Sequence, residues 1–487
     1  VIAEPTTRRQ FIQASGASAA AASLGGVAAA APRRGDLPNV VVVVVDTLRA
    51  DHVYGDRART PNMDALARDG LRFTRMFPEA MPTVPARNSI LLGRRIFPFR
   101  GWHGHRGMPK EPGWSPLGGP GDTFTSVLRR NGYWTSYVTD NPFLSYAPGY
   151  ARLRRSFNRF ERTGGQAGGK GRGVSDRELR HWLHPAIEDS ESRERLRKFL
   201  GNADRYHHDE RRSFAARVFR DATALLDVAH RNRPFAMVVD TFEPHEPWTP
   251  PRKYIALYGD PDYRGREPSK PYYAPASRYL SDSQRGRLLG RMRALYAAEV
   301  TMTDRWLGVF LDRLHKLRLD RETIIVLTSD HGFLLGEHGW TGKSPTQLHP
   351  ALTRVPLTIV HPDGRRRGDA TRFFAQTHDV APTILSMAGV RTPRQMNGTD
   401  LSPLFTGRRP SGRSYAYGGY TNAFYIRTDR WALSGDNRGR GLRLYDLEHD
   451  RRELRDISST HPAKVRQLYR VVRRRAGGRL PYYSNTG

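Results

Sequence analysis

Residues 40–45 are six consecutive valines, preceded by Pro38-Asn39 and followed by Asp46. A β-branched run without a polar position reads as a central parallel strand buried on both faces. Two other runs have the same character. Residues 235–239 end in Asp240, and residues 323–329 end in Asp330-His331. Amphipathic segments lie between the runs, around residues 61–71, 89–92 and 123–131. Strands alternating with helices predict an α/β fold, a doubly wound, mostly parallel sheet flanked by helices. Ligands of such sheets bind beyond the carboxyl ends of the strands. Asp46, Asp240 and Asp330 stand at those ends.

The chain of 487 residues is 38% hydrophobic, with 8 Trp, 21 Tyr and 20 Phe, enough to fill a large core. Residues 162–174 are glycine-rich and basic and read as a loop. Residues 177–229 are charged with helical spacing and read as a helical insertion. From about residue 407 the pattern changes to short strands (414–417, 423–428, 430–434 and 442–446) and a final basic helix, 462–475. The expected organisation is therefore a catalytic domain over 36–406 and a small α+β subdomain over 407–487. There is no cysteine, which excludes disulfides and thiolate metal sites. The formal net charge of +31 favours anions as partners. The arginines are spread along the chain and read as a solvated surface. No nucleic-acid-binding motif accompanies them, so no nucleic-acid partner is expected.

Residues 1–31 read as a targeting segment. Thr7-Arg8-Arg9-Gln10-Phe11-Ile12 has the form of a twin-arginine export signal, followed by an Ala-, Gly- and Ser-rich apolar run over 14–31. That run is too weakly hydrophobic for a membrane anchor. The mature chain is expected to be exported, to the periplasm, cell surface or medium, without a membrane helix.

Four segments carry chemistry together. Asp46, just past a buried strand, is a rigidly held carboxylate suited to a hard divalent cation. In Pro82-Thr83-Val84-Pro85-Ala86-Arg87, Pro85 favours a helix start, which sets Thr83 at a helix N-terminus. Arg87, one turn on, returns toward Thr83 and suits a tetrahedral anion. Asp330-His331-Gly332 can bind one metal together, and Lys343, after the glycine-rich Gly336-Glu337-His338-Gly339, can reach an anionic substrate. In Glu243-Pro244-His245-Glu246-Pro247, prolines fix His245, which can protonate a leaving alkoxide.

With these segments the chain resembles the sulfatases and the arylsulfatase-like phosphonate and phosphodiester hydrolases of the alkaline phosphatase superfamily. Their signature is Cys/Ser-x-Pro-x-Arg followed by a Thr-Gly-Arg-like helix. Here Thr83-Val84-Pro85-Ala86-Arg87 and Leu92-Gly93-Arg94 are similar to it. The likeness runs from about Pro38 to Arg475 and includes residues 376–389 and Leu444-Tyr445-Asp446-Leu447. It implies an alkaline phosphatase-like fold and hydrolysis of sulfate or phosphate-type esters of small molecules or glycans. It also implies a divalent metal (Ca²⁺, Mg²⁺, Mn²⁺ or Zn²⁺) held by Asp46, Asp330, His331 and the Thr83 hydroxyl. Arg87 and Lys343 would hold nonbridging oxygens, and His245 would serve the leaving group. Asp240, His245 and His378 are candidates for a second metal.

Three departures matter. Asp46-Thr47 stands where sulfatases have two aspartates. Gly132-Tyr133-Trp134-Thr135 leads to Asp140-Asn141-Pro142-Phe143 without the usual Lys-x-His pair. Position 83 is threonine, whose methylated Cβ cannot yield the formylglycine aldehyde. Thr83 would attack directly, and the resulting ester must be broken at phosphorus or sulfur, which favours phosphate-type esters. Two other readings are a phospho-group transferase of the same superfamily and an inactive binding homologue. The first is expected to carry membrane helices, and the retained Asp46, Arg87, Asp330, His331 and Lys343 argue against the second.

Overall fold

The valine run forms β1 (Asn39–Val45), all seven residues of which are buried. In the computed structural model, residues 37–117, 121–167, 173–203, 208–410 and 412–484 are described. The export segment read in residues 1–31, and residues 168–172 of the glycine-rich loop, lie outside them. After β1, the strands of the two main sheets are β2 (Leu71–Phe73), β3 (Ala80–Met81), β4 (Trp134–Thr139), β5 (Arg159–Arg162), β6 (Phe235–Thr241), β7 (Thr323–Thr328), β8 (Leu357–Val360), β9 (Ala370–Thr371), β10 (Ala416–Tyr420), β11 (Ala423–Arg427), β12 (Trp431–Asp436) and β13 (Arg443–Asp446).

The large sheet has the order β9-β2-β8-β7-β1-β6-β4-β5. From β7 to β5 every pairing is parallel, while β8 runs antiparallel to both its neighbours. The three expected central strands, β7, β1 and β6, are adjacent, so Asp330, Asp46 and Asp240 follow one another across one edge of the sheet. Alternation along β1 divides the interior in two. Val41, Val43 and Val45 belong to one core and Val40, Val42 and Val44 to the other.

Seven helices matter here: α1 (Pro61–Asp69), α2 (Thr83–Leu92), α3 (Phe124–Arg130), α4 (Phe214–His230), α5 (Asp282–Lys316), α6 (Val380–Met387) and α7 (Pro462–Arg475). Met63 and Leu66 of α1, Phe219 and Leu226 of α4 and Leu295 and Leu307 of α5 cover the odd valines; Val84 and Ile90 of α2, Phe124 of α3 and Ile384 of α6 cover the even ones. The expected insertion over 177–229 is thus only partly one. Its last helix, α4, packs on the sheet through Val218, Phe219 and Ala222, because its apolar positions recur at helical spacing. Among the described residues no helix is long and apolar enough to cross a membrane.

The second sheet, β13-β12-β11-β10-β3, is built from the C-terminal segment with one strand from far upstream. β10 pairs in parallel with β3, Gly419 with Ala80 and Tyr420 with Met81. Glycine is needed for this approach, since a Cβ on Gly418 would lie 2.5 Å from the Glu79 carbonyl oxygen. The strand that runs into Thr83 is therefore an edge of the C-terminal sheet. Helix α7 covers that sheet with Val465, Leu468 and Val472.

Candidate active site

The chain turns sharply beyond β1. Thr47 takes a left-handed conformation with φ of 55°, a position non-glycine residues rarely adopt. The turn aims the Thr47 N–H at Asp330 Oδ1, 3.0 Å away, and α5 braces it where Tyr296 Oη donates to the Thr47 carbonyl at 2.8 Å. The His331 N–H also donates to Asp330 Oδ1, at 2.8 Å. Asp330 is thus locked by one oxygen, and the other, Oδ2, accepts from Arg87 Nη1 at 2.6 Å on the side facing Asp46. Asp46, Asp330 and His331, all buried, bring one ligand atom each within 4.8 Å of one another.

These atoms suit a cation. Neither Asp46 oxygen has a hydrogen-bond partner among the described residues, and neither has His331 Nε2. His331 Nδ1 donates to the Gly332 carbonyl at 2.8 Å, which fixes the tautomer and leaves the Nε2 lone pair free. Burial pushes the His331 ring down to about 4, so it is neutral, as a ligand must be. Burial and the adjacent Asp330 carboxylate push Asp46 well up, a sign that negative charge here exceeds its compensation.

Thr83 is the first residue of α2 and Pro85 the third, where its missing N–H is not needed. All ten residues of α2 are buried, and the helix ends at Gly93 in the left-handed conformation. Among the described residues no hydrogen bond holds the Thr83 hydroxyl. Arg87 returns toward Thr83 as expected, with Nη1 3.3 Å from its carbonyl oxygen. The rest of its guanidinium differs from expectation. Nε and Nη2 grip Asp240 at 3.0 and 2.7 Å, and Nη1 lies 2.6 Å from Asp330 and 3.1 Å from Asp46. Tyr137 Oη, on β4, also donates to Asp240, to Oδ2 at 2.8 Å. Arg87 therefore faces three carboxylates, not an open position for nonbridging oxygens. It ties the nucleophile helix to the ends of three strands.

His245 stacks on Phe242, ring centroids 4.3 Å apart, and its Nδ1 donates to the Glu246 carbonyl at 2.7 Å. The remaining lone pair, on Nε2, accepts from the Lys343 ammonium at 2.8 Å. Burial, with Lys343 adding to it, pushes His245 down to about 4. The ring is therefore neutral. Lys343 is thus engaged with His245 as well as available to an anion. Sequence reading missed two neighbours, Glu246 and Tyr273. The Tyr273 hydroxyl donates to Glu246, and Lys343 Nζ lies 5.5 Å from the Tyr273 ring centroid. Nothing in the sequence pairs Tyr273 with a loop 27 residues upstream.

The three candidates for a second metal do not converge. Asp240 is held by Arg87 and Tyr137, His245 by Lys343, and His378 lies elsewhere, with Nε2 3.3 Å from Arg95 and 3.8 Å from Asp379. At the end of β4, where the Lys-x-His pair is missing, Asp140 is buried. Its Oδ1 accepts the Phe242 N–H at 2.7 Å and its Oδ2 has no partner among the described residues. Burial, aided by Glu243 and Asp240 against that N–H, pushes Asp140 up to about 8. An unfolded Asp releases its proton near pH 4. The folded chain holds it to about pH 8, so Asp140 makes the fold progressively less stable from pH 4 to 8. Asp140→Asn, a mimic of the neutral acid, is expected to match wild type at pH 4 and exceed it by about 2 kcal/mol or more at pH 8, at about 1.4 kcal/mol per unit. Urea unfolding at both pH values checks this; a constant gap between the two proteins contradicts it.

A parallel sheet with buried carboxylates, an arginine-bridged helix start and a His–Lys pair at its carboxyl edge defines a hydrolase acting on ester bonds, of the alkaline phosphatase superfamily. Residues 38–390 match the family described as Sulfatase, and the chain belongs to the sulfatase family. Residues 336–474 match the family described as N-sulphoglucosamine sulphohydrolase, C-terminal. The chain is 25% identical to the N-acetylglucosamine-6-O-sulfatase of Bacteroides thetaiotaomicron, over 89% of this chain and 85% of that protein. It is 23% identical to the arylsulfatase of Clostridium perfringens, over 92% and 96%. The phosphonate monoester hydrolase of Agrobacterium radiobacter has the same fold, with a TM-score of 0.68 at 20% identity, covering 89% of this chain and 94% of that one.

Proposed function

We propose that this chain is a metal-dependent hydrolase of sulfate or phosphate-type esters of small molecules or glycans, with Thr83 as the nucleophile. The observation that carries the reading is the convergence of Asp46, Asp330 and His331 on α2, whose first residue is Thr83. Three buried carboxylates, Asp46, Asp240 and Asp330, share one guanidinium, so room for a further positive charge is built in. Asp46, Asp330, His331 and the Thr83 hydroxyl would hold a single divalent ion. Such an ion polarises the ester oxygen and lowers the pKa of a coordinated hydroxyl.

The residues divide the remaining work. Arg87 holds the carboxylates in register with α2. The Thr83 hydroxyl gives up its proton to solvent, and its oxygen forms a bond to phosphorus or sulfur as the bond to the ester oxygen breaks. The leaving oxygen takes its proton from His245 Nε2, which draws it from the Lys343 ammonium and hands it on from the same nitrogen, Nδ1 being held by the Glu246 carbonyl. Water then cleaves the threonine ester. Threonine cannot become an aldehyde, so release proceeds at phosphorus or sulfur, and phosphate-type esters are the better matched substrates. Arg8-Arg9 and the apolar run that follows support export by the twin-arginine route, which would place this chemistry outside the cytoplasm.

The test is a panel of aryl sulfate, phosphate monoester, phosphodiester and phosphonate ester, given to chelator-stripped protein with Ca²⁺, Mg²⁺, Mn²⁺ or Zn²⁺ restored. Activity is expected to fall on stripping and return with at least one ion, and phosphorus esters are expected to turn over faster than the sulfate. Calorimetric titration should count one ion per chain, lost in His331→Ala. Undiminished activity after stripping would refute the metal assignment.

A further inference from the structure

The positive charge is not spread evenly in space. Residues 94–110 contain Arg94, Arg95, Arg100, Arg106 and Lys110 and no Asp or Glu, and of these Arg95 reaches a carboxylate, Glu79 at 3.6 Å. Residues 457–487 contain one Lys and six Arg and again no acid. Elsewhere arginines answer carboxylates: Arg193 and Arg197 pair with Asp176, Arg266 with Glu188, Arg291 with Glu267 and Arg313 with Asp227. Arg466, Arg470, Arg473 and Arg474 are exposed on α7, and among the described residues none of them pairs with a carboxylate. At spacings of four and three residues they share one face of the helix, about 12 Å long at 1.5 Å per residue. The helix C-terminal dipole accounts for cations in the last turn only.

The two acid-free segments touch. Arg100 Nη2 donates to the carbonyls of Ala476 and Arg479 at 2.7 and 3.0 Å. The Trp102 N–H donates to Tyr483 Oη at 3.0 Å, and their rings stack edge-on at 5.3 Å. One end of the joined surface leads into the active site. Residues 94–110 continue directly from α2, and Asn88 Nδ2, within that helix, donates to the Ser115 carbonyl just beyond them at 2.7 Å.

We infer that the exposed cations of α7 and of residues 94–110 form an exosite for a linear polysaccharide bearing several sulfate or phosphate groups, one of which enters at Thr83 while its neighbours stay on the band. The inference rests on the proposed ester hydrolysis and names its substrate as a polymer. Thr83 and its partners are almost wholly buried, so the scissile group must hang from its chain as a substituent. The anionic groups of a nucleic acid, its terminal phosphates apart, lie within the backbone and do not hang from it as side groups. A membrane surface would call for apolar side chains beside the cations. The large exposed apolar residues described, Tyr146, Val228, Leu257, Tyr273, Leu454 and Tyr482, stand singly in the sequence and form no continuous run beside the cations.

The test uses the whole protein and three probes: dextran sulfate, a single-stranded DNA oligonucleotide of equal charge, and vesicles of one-third anionic phospholipid. Wild type is expected to bind dextran sulfate with a steep salt dependence, because each contact releases counterions. Replacing Arg466, Arg470, Arg473 and Arg474 together by Gln should weaken that binding tenfold or more and flatten its salt slope. The same variant should keep kcat/KM for a small aryl ester within twofold, since none of the four touches the reacting atoms. Arg193→Gln with Arg197→Gln, the same chemistry on paired arginines, should change neither. Binding of dextran sulfate needs no turnover, so it is measured even if the ester panel fails, and the two readings fail separately. Unchanged dextran sulfate binding in the fourfold variant overturns the exosite. So does wild-type binding to the oligonucleotide or the vesicles tighter than to dextran sulfate. A circular dichroism spectrum like that of wild type excludes loss of fold as the cause.

Discussion

Thr83→Ala is expected to lower kcat/KM on the best ester of the panel by about 10⁴-fold or more, as when a nucleophile acting in concert with its partners is removed. The cost in stability should be small, about 1 kcal/mol at most. The preceding residue, Pro82, is the helix cap, and Thr83 makes no capping bond of its own to lose. Thr83→Ser keeps the hydroxyl and should retain part of the activity. Mass spectrometry of the peptide around Thr83 should find an unmodified threonine at rest and a phospho or sulfo adduct when a slow substrate traps the enzyme. Full activity in Thr83→Ala would mean that water attacks without a covalent step.

Arg87→Ala should be the most disruptive single change in the molecule. It leaves Asp46, Asp240 and Asp330 buried without their guanidinium. Removal of one partner from a buried ion pair costs about 3–5 kcal/mol. Activity should vanish with it, but two causes must be told apart. If Arg87 acts by neutralising the carboxylates, adding Asp240→Asn should restore at least about 1 kcal/mol of the lost stability, a coupling read from the double-mutant cycle. If its role were to grip substrate oxygens, the second change would restore nothing. Arg87→Lys keeps the charge but not the fork that bridges Asp240 and Asp330, and should recover stability in part and activity little.

The central sheet was legible because strands buried on both faces need no partner to be recognised: the valine run, residues 235–239 and residues 323–329 all became adjacent parallel strands. The carboxylates at their ends follow from that. The Thr-x-Pro-x-Arg segment also announced its helix, since proline placement is a local matter. What escaped was set by distance along the chain. Asp240 meets Arg87 across 153 residues, and Tyr137 meets Asp240 across 103. No local pattern foretells either, so Arg87 was read as an anion clamp. Helix α4 was taken for an insertion because its charged positions stand out in sequence, whereas its buried stripe has meaning only against β6 and β4. The basic surplus looked uniform for the same reason. The residues that neutralise arginines elsewhere, such as Glu267 for Arg291, are near in space and not in sequence.

The pairing of β3 with β10 has a consequence for how the protein is made. The segment that carries Thr83 leaves the ribosome early, yet the strand that anchors it, residues 416–420, emerges some 330 residues later. Closing so long a loop is slow compared with forming local structure. A nascent chain released before β10 would hold every ligand of the proposed ion and still lack a firm seat for its nucleophile. Catalytic competence should therefore arise only once synthesis is nearly complete.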